Sequence, residues 1–162
     1  MQPDDVTHDE AWFEALMTTH APAVQRFFAR RTDRCDVEDL TADVLVTAWR
    51  RRDDVPDEAV LAWLYRTAGF VLANHRRKGR PIPVDDLPEV ADLDDPAWHA
   101  VRDDDLRRAL AALRPRDRQI LLLNAWEGLV GAELAAVLAV TRTSADSALS
   151  RARARLRAAW PT

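Results

Sequence analysis

The stretch that most constrains this chain is Gly128 to Arg157, GLVGAELAAVLAVTRTSADSALSRARARLR, which reads as two helices joined by a very short turn. Leu134, Val137 and Leu138 recur at helical spacing before Val140 and Thr141 interrupt the pattern. Ala145, Leu149, Ala152 and Leu156 then form one narrow stripe. Thr141 suits the N-cap of the second helix, because its hydroxyl can satisfy an unpaired first-turn amide. On an ideal wheel Thr143, Ser147, Ser150 and Arg151 fall opposite the apolar stripe. A helix that packs by its back and shows a polar face is the layout that enters a DNA major groove in a helix-turn-helix. Plain solvation of an all-helical protein would produce the same polar face. What favours nucleic acid is the run Arg151, Arg153, Arg155, Arg157, whose period of two spreads cations to both flanks of that face, within reach of phosphates. Cations near a helix C-terminus are also favoured by its dipole, and both explanations stand together.

Abundant Ala, Leu and Arg and only 4 Gly in 162 residues point to an all-α fold. Length permits one ordinary domain or two small ones. Charge separates the regions. Residues 1–80 carry 12 basic and 14 acidic side chains, residues 81–105 one and nine, residues 106–162 ten and four. A near-neutral N-terminal part (7–80) and a basic C-terminal part (104–160) are thus expected as two small helical domains. Between them 81–103, with four prolines and dense acid, reads as an extended, self-repelling linker. The lone Cys35, an acidic N-terminus without signal-peptide character and the lack of a long apolar run fit a cytoplasmic protein.

Within the N-terminal part, Thr7 to Glu10 has capping-box spacing, and a second short helix is expected to begin at Pro22. Asp36 then caps VEDLTADVLVTAWRR, whose stripe is Val37, Leu40, Val44 and Ala48. Leu45 and Trp49 lie outside it, with Glu38 nearby and Asp39 and Asp43 one turn apart elsewhere. A helix apolar on a second face either sits inside its own bundle or docks a partner. The next helix, AVLAWLYRTAGFVLANHRRKGR, interleaves Trp63 and Phe70 with a basic end, His75, Arg76, Arg77, Lys78 and Arg80. Rings that stack on bases beside cations that hold the backbone suit single-stranded nucleic acid; a core Trp and a cationic C-terminus would look alike. His8, His20, His75 and His99 are scattered, with no metal-ligand spacing to the acids, so neither a metal, another cofactor nor catalysis is expected.

In this order the parts resemble a bacterial sigma factor of the extracytoplasmic-function (ECF) group, over nearly the whole chain. VEDLTADVLVTAWR resembles that family's core-polymerase helix, AWLYRTAGFVLANHRRKGR its minus-10 segment, and LRPRDRQILLLNAWEGLVGAELAAVLAVTRTSADSALSRARARLR its minus-35 domain. The resemblance implies a non-enzymatic subunit that joins RNA polymerase core and confers promoter choice, with an anti-sigma protein as a further candidate partner. It carries polymerase binding to Glu38, Asp39, Leu40, Asp43 and Trp49. It carries the minus-10 element to Trp63, Arg66, Asn74, Arg76, Arg77 and Arg80, and the minus-35 element to Thr143, Asp146, Ser147, Ser150, Arg151 and Arg153. The acidic linker would thread the polymerase. The sequence departs from the pattern at several places. Asp146 stands where a Lys or Arg is usual and could accept from a cytosine amine. Ala148 replaces a common Arg, Gly69 and Phe70 replace polar residues, and Val130-Gly131 replaces a Ser-aromatic pair. Two other classes fit the residues alone: a stand-alone helix-turn-helix regulator, and a helical interaction module that no longer binds DNA.

Overall fold

The computed structural model describes residues 7–77 and 101–161. Among these residues seven α-helices follow in order: α1 Glu10–Ala29, α2 Val37–Arg50, α3 Val60–Arg76, α4 Asp104–Ala111, α5 Pro115–Glu127, α6 Gly131–Leu138 and α7 Arg142–Ala159. Two single turns of 3₁₀ helix, Arg52–Asp54 and Asp57–Ala59, connect α2 to α3. No strand occurs among the described residues. The all-α class expected from composition is observed. The acidic linker lies almost wholly outside the described residues.

The first helix differs from expectation at both ends of its first half. Its cap is Asp9, whose carboxylate accepts from the Trp12 amide at 2.9 Å, rather than a Thr7–Glu10 box. No new helix starts at Pro22; α1 runs straight through it. An interior proline costs about 3 kcal/mol. Here Leu16 on one side of it and Val24, Phe27 and Phe28 on the other are all buried. At about 1.5–3 kcal/mol each, their burial outweighs that cost only if the helix continues.

Helices α1, α2 and α3 pack on one another, and α7 packs on α4, α5 and α6. Pro115 opens α5, and Gly128 ends it in the left-handed region at φ 69°. The end of α6 is less ordinary. Ala139 takes φ 53°, while its amide and that of Val140 donate back to Ala136 and Ala135. This is the hydrogen-bond pattern that usually recruits glycine.

The two halves are not merely tethered. α3 lies against α6 and α1 against α5, and a single apolar cluster runs from Phe28 and Leu64 through Leu110 and Leu134 to Leu149. At their seam Arg31, just past α1, meets Glu127 at the end of α5: Nη1 to Oε1 is 2.7 Å and Nη2 to Oε2 3.0 Å. Their side chains are 1% and 0% exposed. The Arg31 guanidinium also lies 3.8 Å from the Phe27 ring centroid and donates to the Phe27 carbonyl. Burial raises the Tyr65 hydroxyl above its ordinary pKa, and the Glu127 carboxylate adds to the shift.

Candidate polymerase and promoter interfaces

The recognition-helix layout forms as its sequence requires. Thr141 Oγ1 accepts from the Ser144 amide at 3.1 Å and starts α7. Ala145, Leu149 and Ala152 are buried. Thr143, Asp146, Ser150 and Arg151 are exposed and Ser147 is half-buried, so this face is open to a ligand.

The arginine run divides by contact. Arg153 Nη2 donates to Asn124 Oδ1 at 2.8 Å, and Arg155 Nη1 lies 3.0 Å from both Asp117 carboxylate oxygens. These two brace α7 on α5. Arg151 and Arg157 are exposed. Arg153 is exposed as well. Arg142, in the first turn of α7, was missed by the sequence reading. It is exposed and stands 3.9 Å from Asp146. The four-residue spacing of opposite charges was the signal that could have found it.

On α2, Glu38, Asp39 and Asp43 are exposed, but Leu40 is 5% exposed and belongs to the protein's own core. Its place in the apolar stripe with Val44 and Ala48 outranks the role carried over from the resemblance. Trp49 is half-buried, 5.2 Å from the Phe13 ring, with the Arg52 guanidinium 4.4 Å from its own. The apolar residue that does face outward is Val46, 55% exposed. Asp39, Asp43, Val46 and Arg50 follow at intervals of four, three and four and are all exposed, so they make one continuous strip. Val46 was missed because a valine between Leu45 and Thr47 carries no sign of which face it takes.

On α3 the expected residues fare unequally. Trp63, Arg66 and Asn74 are half-buried, with Trp63 packed against the core. Arg77 is exposed, and Arg80 lies outside the described residues. Arg76 turns toward the seam, where its Nη2 donates to the Arg31 carbonyl at 2.9 Å. His75 Nε2 approaches Asp36 at 3.3 Å. Among the described residues no three His, Cys, Asp or Glu converge as metal ligands, and no helix is long and apolar enough to cross a membrane.

Two family models match in tandem: Sigma-70 region 2 over residues 16–82, and Sigma-70, region 4 over residues 103–156. The RNA polymerase sigma-E factor of Streptomyces avermitilis is 33% identical over 153 residues, spanning 90% of this chain and 83% of that protein. The chain belongs to the ECF sigma factors. The ECF RNA polymerase sigma factor SigE of Mycolicibacterium smegmatis is also 33% identical, over 94% of this chain and 64% of that protein. Two solved structures share the fold. CnrH in complex with the cytosolic domain of CnrY superposes with a TM-score of 0.58 at 24% identity, over 93% of this chain and 88% of that one. The sigma factor RpoE of Bartonella quintana, in complex with the anti-sigma factor NepR, gives 0.56 at 22% identity, over 91% and 95%. As a sigma factor the chain binds RNA polymerase core and promoter DNA and directs transcription initiation. These relatives give no support to a stand-alone regulator.

Proposed function

We propose that this sigma factor divides its work along the chain as three surfaces. The strip on α2 formed by Asp39, Asp43, Val46 and Arg50, with Glu38 and Trp49 on the flank beside it, docks on core polymerase. The α3 end, with Trp63, Arg66, Asn74, Arg76, Arg77 and the following Arg80, engages the minus-10 strand. The face of α7 bearing Thr143, Asp146, Ser147, Ser150, Arg151 and Arg153 engages the minus-35 duplex. Residues 7–80 and 104–160 are the two functional domains, and 81–103 is the acidic strap that joins them. The chain acts in the cytoplasm, as a binding and positioning subunit without catalysis of its own.

The observation that carries this reading is the open polar and cationic face of α7, built on a buried apolar back. An anti-sigma protein is a further partner, suggested by the company in which the RpoE neighbour was solved. Transcription in vitro with core polymerase and a genomic DNA library, followed by mapping of start sites, tests the assignment. Start sites that share one upstream sequence pair are expected. Starts that do not depend on the added chain would overturn it.

A further inference from the structure

The Arg142 guanidinium has two close neighbours. Its Nε lies 3.9 Å from Asp146 Oδ2. The guanidinium also lies beside Gly131, the first residue of α6. A Cβ added there would stand 3.4 Å from Nε, 3.5 Å from Nη2 and 3.6 Å from Cζ. Gly131 has φ +53°, a conformation in which a side chain is strained, and a Cβ there would meet the guanidinium only at ordinary contact distance. Gly131 and Asp146 are two of the positions at which the sequence departs from the pattern it resembles, and both adjoin this one guanidinium.

Stability does not account for the arrangement. A cation in the first turn of a helix opposes the dipole. The Arg142 and Asp146 side chains are 74% and 55% exposed, and exposed pairs contribute little. What the arrangement provides is orientation. Asp146 comes nearest to Nε, at an ion-pair distance too long for a hydrogen bond, and Nη1 and Nη2 are the paired donors of a fork that matches O6 and N7 of guanine. The first residues of a recognition helix are those that reach base edges.

We propose that Arg142, positioned by Asp146, reads a guanine in the minus-35 element. This rests on the assignment of α7 to that element. The cation usual at position 146 is then supplied from one helical turn earlier, and Asp146 is a positioning residue rather than a misplaced anion.

The test uses the full chain with core polymerase on a promoter library randomised through the minus-35 element, with bound duplexes sequenced at several salt concentrations. Wild type should prefer guanine at one position by about 5- to 150-fold. Arg142→Ala should erase that preference and leave the others. Arg142→Lys keeps the charge without the planar fork, and should lose the preference while keeping the salt slope. Asp146→Ala should weaken the preference at that same position, and Asp146→Glu should retain it. Three results would overturn the proposal: unchanged preferences in Arg142→Ala; a uniform loss of binding with a salt slope lower by about one unit, which marks a phosphate contact; or an Asp146→Ala change at a different position. Start sites made by the wild-type holoenzyme test the role of the surfaces separately. The same library selected by the chain alone at low salt reads the base preference whether or not those starts appear.

Discussion

Single residues set the strongest local constraints in this molecule. Arg31 and Glu127 form a buried pair, and removing one partner of such a pair strands the other charge at a cost of about 3–5 kcal/mol. Glu127→Gln should therefore lower the urea midpoint steeply. The double change Arg31→Met, Glu127→Met, which leaves no charge behind, should unfold near the wild-type midpoint or above it. His8 gives a pH-dependent counterpart. Its ring stacks on Trp12 at 4.1 Å and its Nε2 lies 2.8 Å from Asp57 Oδ1. That bond raises the His8 pKa above 6.5, with burial opposing it and the Arg52 carbonyl adding to it. Because the folded value is the higher one, the stabilisation is complete below about pH 6.5 and fades as pH rises through the folded pKa. An NMR titration should find His8 above 6.5 in the wild type and closer to it in Asp57→Asn.

At the scale of elements, a helix keeps its inner and outer faces energetically separate. Asp39→Arg or Asp43→Arg on the outer strip of α2 should abolish co-purification with core polymerase while changing stability by less than about 0.5 kcal/mol. Leu40→Ala, one position from Asp39 but facing the core, should cost about 2–5 kcal/mol in chemical denaturation. Equal losses of stability in both kinds of variant would place the strip inside the bundle. The α6–α7 turn carries strain that glycine would relieve. Ala139→Gly removes a Cβ from the left-handed region and should raise stability by about 1 kcal/mol, seen as a higher melting temperature.

For the whole molecule, the packed halves and the promoter impose different geometries. Elements centred near minus-10 and minus-35 lie about 25 base pairs apart, roughly 85 Å at ~3.4 Å per step. A compact chain of this length is roughly 40 Å across. With α3 and α7 on these two elements as proposed, the arrangement with α3 on α6 is too short to reach both at once, and the seam is predicted to open when both are engaged. Energy transfer between dyes on the exposed native Cys35 and on Ala158→Cys should be high in the free chain and fall when core polymerase and promoter DNA are added. Unchanged transfer during active initiation would show that the seam stays shut.

Periodicity by itself determined the helix-turn-helix and the stripes of α2 and α7, because these follow from interactions three or four residues apart on one helix, and composition determined the all-α class. The Thr141 cap, the Pro115 start and the Gly128 stop were legible for the same reason: each acts within one turn. Partners far apart in the chain were not legible. Nothing local in Arg31 or Glu127 announces that they meet across 96 positions, nor that Arg76 donates to the Arg31 carbonyl. Nor did local signals reveal that burial on both sides of Pro22 would carry α1 through it. Asp146 shows the division most plainly. In the sequence it is an anion where a cation was expected, with Arg142 one turn earlier on the same helix, and only the tertiary structure shows that the same guanidinium also lies beside Gly131 of α6. Local propensity chooses the elements, whereas the apolar seams between them choose which charged side chains face one another.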